Sequence, residues 1–324
     1  MERTFGKAEA VFLATITWIP FLVRGSHLQY LMIFTAINGI VAIGLNLFLG
    51  FGGQISLCHG AFFGIGGYVT AILTTRCQID FSLAFILSAA SAWLLAWIIG
   101  WPLLRLKGYF LALATFGFGE IFTVVVSEMR NITNGIIGIY DIPFPGIGNL
   151  KFNTPIKQLY LVWGLLFFLL LFAKNLVNSK TGRALKALAL NEDVSSTLGI
   201  KPAKVKVNIF AISALYAGMA GSIFVGIIST CSPGPFGIQY SVMAVMMVII
   251  GGATHLYGSI LGAVLLTLIT HQLGKYQEYS LLIYGLVLIL MMIYMPGGVW
   301  MGIAKTVKYM LPSHYRKDED EDDL

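Results

Sequence analysis

Between Arg24 and Arg76 the chain carries no Lys, Arg, Asp or Glu, and the same holds from Val207 to Gly274. Each tract is long enough for two or three helical membrane crossings, because one crossing needs about 20 apolar residues. The rest of the 324 residues agree with that reading. The chain is 57% apolar and only 11% charged, where a soluble domain carries roughly a quarter charged residues. The expectation is an all-α integral membrane protein: a polytopic bundle of about ten transmembrane helices with a cytoplasmic coupling helix.

The apolar runs place spans near 10–23, 28–50, 52–75, 81–103, 109–127, 157–173, 207–230, 240–255, 258–273 and 281–299. The glycine-rich stretch 50–67 is also compatible with a broken helix. Arg3 and Lys7 ahead of an apolar run suggest a signal peptide, but Phe21-Leu-Val-Arg-Gly25 is no small-residue cleavage site, so a retained first span is expected. Orientation follows from the loops. One set holds fifteen Lys and Arg, including Arg105, Lys107, Lys180, Lys201 and Lys204; the other holds six, Arg24, Arg76, Arg130, Lys151, Lys157 and Lys275. The richer set marks the cytoplasm, which puts both termini inside a plasma membrane. Residues 1–304 are expected to form one transmembrane domain, and 305–324 a charged cytoplasmic tail. The net charge of +6 then records orientation, and nucleic acid is set aside.

Two loops are longer than a connection requires. The outer one, 128–155, is rich in turn formers, from Asn131 and Asn134 to Pro145 and Gly148. Its Ile136, Ile137, Ile142, Phe144 and Ile147 are expected to pack down on the bundle. The inner loop, 174–206, reads as helical. Ser179-Lys-Thr-Gly caps Arg183-Ala-Leu-Lys-Ala-Leu-Ala-Leu190, and Asn191 caps a second short helix with Glu192 and Asp193 in its first turn. Gly199 and Pro202 are expected to end it. Such an elbow either lies on the membrane surface or docks a partner.

Inside the spans, glycines recur at close-packing intervals: Gly60 and Gly64, Gly258 and Gly262, and the doublet Gly251-Gly252. Small residues let helix backbones approach where water supplies no driving force. Glu120 is the one carboxylate deep in an expected span; an ionised group there costs roughly 2.5–3.5 kcal/mol on insertion scales, so it must face protein or water. It is a candidate gate or pathway residue, with a packing role as the alternative. Gln54, Ser56 and His59 form a second polar island with the same two readings. Cys58, Cys77 and Cys231 have no metal-ligand spacing; Cys77 and Cys231 both fall in outer loops, where isolated thiols are favoured over a disulfide. No phosphate-binding loop, metal constellation or nucleophile elbow occurs, so no catalytic or metal residues are assigned. Uphill transport would need energy from a partner.

These residues reach a resemblance. Gly44-Leu-Asn-Leu47 followed by Gly52-Gly-Gln-Ile-Ser-Leu-Cys-His-Gly-Ala-Phe-Phe-Gly-Ile-Gly-Gly-Tyr68, Tyr109-Phe-Leu-Ala-Leu-Ala-Thr-Phe-Gly-Phe-Gly-Glu-Ile121, and Arg183 to Ile200 resemble the branched-chain amino-acid ABC importer permeases. Gly251-Gly-Ala253 and Gly258-Ser-Ile-Leu-Gly-Ala263 echo the family's late spans. Cys58, Gly60, Thr123 and Asn134 depart from its usual pattern, which bears on the substrate more than on the family.

The resemblance implies a permease subunit forming half of a translocation pathway for branched-chain or other amino acids. Its implied partners are a second permease, two ABC ATPase subunits that hold the ATP and Mg, an extracytoplasmic binding protein, and membrane lipid. Arg183, Lys186, Asn191, Glu192, Asp193 and Gly199 are the candidates for coupling to the ATPases. The alternatives are a permease for urea or short amides in the same family, or a stand-alone secondary carrier.

Overall fold

The computed structural model describes residues 25–272, except 149 and 254, together with scattered positions between 282 and 302. The expected first span at 10–23, most of the last span at 281–299, and the charged tail lie outside the described residues.

Where the sequence is apolar and free of charge, the backbone closes its own hydrogen bonds as helix, the economical solution in a medium that offers none. Among the described residues up to 272, eight helices run back and forth between two polar ends. They are α1 (Ser26–Leu49), α2 (His59–Thr75), α3 (Phe81–Leu103), α4 (Tyr109–Glu128), α6 (Pro155–Asn178), α9 (Pro202–Ile228), α10 (Ile238–Gly251) and α11 (Leu256–Gln272). The first end also carries a one-turn helix, α5 (Arg130–Thr133), and the second carries the elbow helices α7 (Lys180–Leu190) and α8 (Glu192–Thr197). Five of the eight, α1, α3, α4, α6 and α9, are long and apolar enough to cross a membrane; α10 and α11 are shorter apolar helices.

Local chemistry sets the ends. Pro155 and Pro202 occupy the first helical positions of α6 and α9, where a missing N–H costs nothing. Pro202 therefore begins a helix; the expectation that it would help terminate the elbow was misplaced, and Gly199, at φ +81°, does that alone. Gly252, at φ +112°, turns the chain between α10 and α11.

The layers differ in burial. In the most apolar windows of α1 and α9, 83% and 78% of residues are buried, against 33% for α3 and 22% for α4. So α9 is the axis, packed on α1, α2 and α3, while α3 and α4 form an outer wall. Small residues make the axis possible. A Cβ on Gly66 would strike the Gly218 backbone, one on Gly221 the Phe63 carbonyl, and one on Gly44 the Tyr216 side chain. Tyr216, fully buried, donates from its hydroxyl to the Leu169 carbonyl at 2.7 Å and ties α9 to α6.

The two ends are distinct. At the first, Arg76 donates to the Asn131 carbonyl (2.6 Å) and to Asn134 Oδ1 (3.2 Å). There, too, β1 (Ile139–Tyr140) pairs antiparallel with β4 (Thr230–Cys231), while β2 (Gly146–Ile147) pairs with β3 (Leu150–Lys151). The loop packs down only in part. Ile142 is buried, but Ile136, Ile137 and Phe144 are exposed, contrary to expectation, because the hairpin-like strand pairs and not the isoleucines anchor it. Cys77 and Cys231 are free thiols, the first exposed and the second buried.

Candidate functional site

Three groups of residues carry the polar chemistry, the His59 cluster, Glu120 and the elbow, and one short segment touches the first, the last and the helix that carries Glu120. The span expected at 52–75 is helical only from His59. Residues 50–58 are unwound, with Gly53 at φ +63°, a conformation that glycine adopts without steric cost. Non-helical backbone at membrane depth survives only where protein or a water-lined cavity surrounds it; here Gly52, Ser56 and Cys58 are buried in protein while Gly53 and Ile55 are exposed. Gly53 and Gln54 still donate back to the Leu49 and Phe48 carbonyls (3.0 and 3.3 Å), and Leu57 donates to Thr115 Oγ1 of α4 at 3.1 Å.

The polar island forms at the lower end of this segment. Ser56 Oγ lies 3.3 Å from His59 Nδ1 and 3.2 Å from Cys58 Sγ, and His59 Nε2 is 2.5 Å from Ser213 Oγ on α9. His59, Ser56 and Ser213 are all completely buried, so each polar atom must find its partner inside the protein. Gln54, expected in the same island, has no hydrogen bond to this cluster, because the segment between them is unwound. Ser213, Cys58 and Thr115 were missed. A hydroxyl at the right depth of an expected span is too common a signal to single out.

Glu120 stands on the opposite side of α4. Thr115, Gly119 and Val126 mark the buried face. Glu120 shares a face with Leu113, Phe116 and Val124, at spacings of seven and four residues, and those three are exposed. The carboxylate is half-buried and has no hydrogen bond or ion pair among the described residues. It does not join the His59 cluster.

The elbow is built as its caps dictate. Ser179 Oγ accepts from the Gly182 amide (3.3 Å), and Asn191 Oδ1 accepts from the amides of Asp193 and Val194 (3.0 and 3.1 Å). Leu185, Leu188 and Ser195 face inward. Glu192 does too: its Oε2 accepts from Lys206 Nζ at 2.7 Å and lies 3.9 Å from the exposed Lys107. The Lys206 side chain is 4% exposed. Arg183 donates to the Asn178 carbonyl (3.1 Å), Lys186 reaches to 5.5 Å over the Phe51 ring, and Asp193 is exposed. Leu190 at the end of α7, Val194 in α8 and Leu198 at its C-cap are 90%, 57% and 74% exposed. Sequence reasoning chose the charged residues of this elbow and passed over its apolar ridge.

The glycines meet backbone and bulky side chains. Gly251 and Gly258 face each other across α10 and α11, and Gly262 meets the Met247 carbonyl. A Cβ on Gly60 would come within 2.7 Å of the Gly237 carbonyl, one on Gly64 within 2.6 Å of the Phe122 ring, and one on Gly252 within 3.0 Å of the Gly297 carbonyl.

Residues 27–292 match the family model described as branched-chain amino acid transport system / permease component. The chain belongs to this family. It is 34% identical over 317 residues to the high-affinity branched-chain amino acid transport system permease protein LivM of Salmonella typhimurium, covering 90% of this chain and 73% of that protein. It is 24% identical to LivH of Escherichia coli over 80% of this chain and 90% of that one. It is also 25% identical to the ribose import permease protein RbsC of Haemophilus influenzae, over 74% and 75%. No solved structure matches. The motif from Gly44 to Tyr68 through which the sequence resembled this permease family thus corresponds to the end of α1, the unwound segment and the start of α2.

Proposed function

We propose that this chain is the permease subunit of an ATP-driven importer, forming half of a pathway for branched-chain or other amino acids delivered by a binding protein. It crosses the plasma membrane ten times, counting the spans at 10–23 and 281–299, with both termini and the elbow in the cytoplasm. The LivM and LivH relatives support the solute class. A permease for urea or short amides in the same family is the alternative, and the likeness to a ribose import permease supports a breadth of cargo among relatives.

The observation that carries the proposal is the ridge of Leu190, Val194 and Leu198 on a polar, capped elbow. Three exposed apolar side chains, one at the end of α7, one in α8 and one at its C-cap, fit a partner's apolar surface better than water. The ridge is the ATPase contact, bordered by Asp193 and Asn191; Glu192 and Lys186 hold the elbow to the bundle instead. ATP and Mg belong to that partner. The face of α4 that carries Glu120 is the seam toward a second permease chain, where water or protein covers the carboxylate.

Affinity purification of this chain from its native membrane tests the proposal. Two ATPases and a second permease should co-purify, and Leu190→Asp with Leu198→Asp should lower ATPase recovery at least tenfold while the permease pair survives. Recovery of this chain alone would overturn the proposal.

A further inference from the structure

The unwound segment contacts the elbow at one end and the Glu120 helix at the other. At its upper end a Cβ on Gly53 would lie 3.5 Å from Ala189 Cβ of α7, and one on Gly52 would lie 3.2 Å from a Leu185 methyl. Lys186 of the same helix lies over the Phe51 ring. At its lower end Leu57 donates to Thr115 Oγ1, and a Cβ on Gly119 would come within 3.4 Å of the Leu57 carbonyl. Gly119 immediately precedes Glu120. Ser56 and His59 add a third connection, to Ser213 on α9.

We infer that Gly50–Cys58 is the connecting rod of the transporter, with Thr115 as the positioning residue through which displacement of the elbow reaches α4, the helix that carries Glu120. The inference rests on the importer reading above. A helix resists bending because its backbone bonds are cooperative. Gly50, Phe51, Gly53 and Gln54 keep backbone bonds to α1, but the stretch past Gln54 has few such bonds to break, and Gly53 in the left-handed region gives it a pivot. Packing transmits a push only where the contacting atoms are close and cannot collapse into a void. Small residues meet α7 above, so backbone meets helix directly. Below, one hydrogen bond and one glycine contact fix the segment to α4. The chain of contacts is continuous from Ala189 to Gly119; the elbow's other packing is on α6 and α9. Its strongest other tie, Glu192 to Lys206, leads to α9, and the longer contact from Glu192 to the exposed Lys107 reaches only the turn before α4.

The test uses the complete complex, with its ATPases and binding protein, in proteoliposomes, and reads solute moved per ATP hydrolysed. Thr115→Val removes the acceptor for the Leu57 amide; it should lower that ratio about tenfold with ATP hydrolysis held within about twofold, and Thr115→Ser should restore it. A Gly53→Cys, Ala189→Cys pair has the Cβ separation that a disulfide requires, about 3.5–4.5 Å. The same protein is assayed reduced and oxidised, which removes folding as a variable. Segment and elbow move as one body on this account, so oxidation should leave uptake within about twofold. An unchanged solute-to-ATP ratio in Thr115→Val, or loss of uptake on oxidation, overturns the inference. Absence of ATP-dependent uptake in the wild-type complex would instead strike the importer reading itself.

Discussion

Lys206 Nζ lies 2.7 Å from Glu192 Oε2, so the elbow is fastened to the root of α9 through a lysine that is almost wholly buried. Removing one partner of a buried pair leaves a charge without compensation and typically costs about 3–5 kcal/mol. Glu192 is a quarter exposed, which places Glu192→Ala near the lower end, about 3 kcal/mol. Lys206→Met should cost less than ~1 kcal/mol, because Glu192 then keeps water and Lys107. Thermal unfolding of the purified protein in detergent checks both, and equal losses would mean that the pair does not hold the elbow. Charge reversal at Glu192 is therefore a test of folding; docking is tested at the apolar ridge.

Glu120 has no partner to lose within the described chain, so Glu120→Gln should leave membrane levels and thermal stability unchanged. If the carboxylate faces the pathway, uptake should fall about tenfold. Normal uptake by the glutamine variant would leave only a packing role for this residue.

The sequence shows most of this arrangement, and the failures are instructive. The spans 81–103 and 109–127 coincide with α3 and α4 nearly to the residue, since Asp80 and the Arg105–Lys107 turn mark their limits. Ser179 and Asn191 cap as their side chains require. The unwound start of the third span was legible only as a glycine excess. Apolar content alone cannot tell a helix from an extended segment enclosed by other helices. The partners of His59 and Leu57 were invisible because Ser213 and Thr115 lie far away in sequence, and their pairing is a product of packing.

Packing glycines should be far less tolerant than glycines at the periphery. Gly221→Val drives a side chain into the Phe63 carbonyl between α9 and α2 and should cost at least ~3 kcal/mol, the upper range for overpacking. Gly164, exposed on α6, has nothing within 4 Å of its would-be Cβ; Gly164→Ala should stabilise the helix by about 0.5–1 kcal/mol. Unfolding midpoints of the two variants should move in opposite directions.

The native cysteines report orientation. Cys77 is exposed at the end of the bundle that carries the Arg76–Asn131 contact. Cys58 and Cys231 are buried, and burial pushes the Cys231 thiol above its ordinary value, which leaves less of the reactive thiolate at neutral pH. A membrane-impermeant maleimide added to intact cells should label the chain through Cys77, and Cys77→Ser should abolish the signal. Labelling that appears only after lysis would reverse the orientation and put the elbow outside.

The central claim is that this chain moves solute only as part of an ATP-driven assembly. Uptake of a radiolabelled branched-chain amino acid into proteoliposomes, containing the co-purified complex and supplied with its binding protein, measures it directly. Accumulation that requires ATP on the elbow side, and disappears without the ATPases, is the predicted result. Transport by the isolated chain without ATP would contradict it and assign the protein to the secondary carriers.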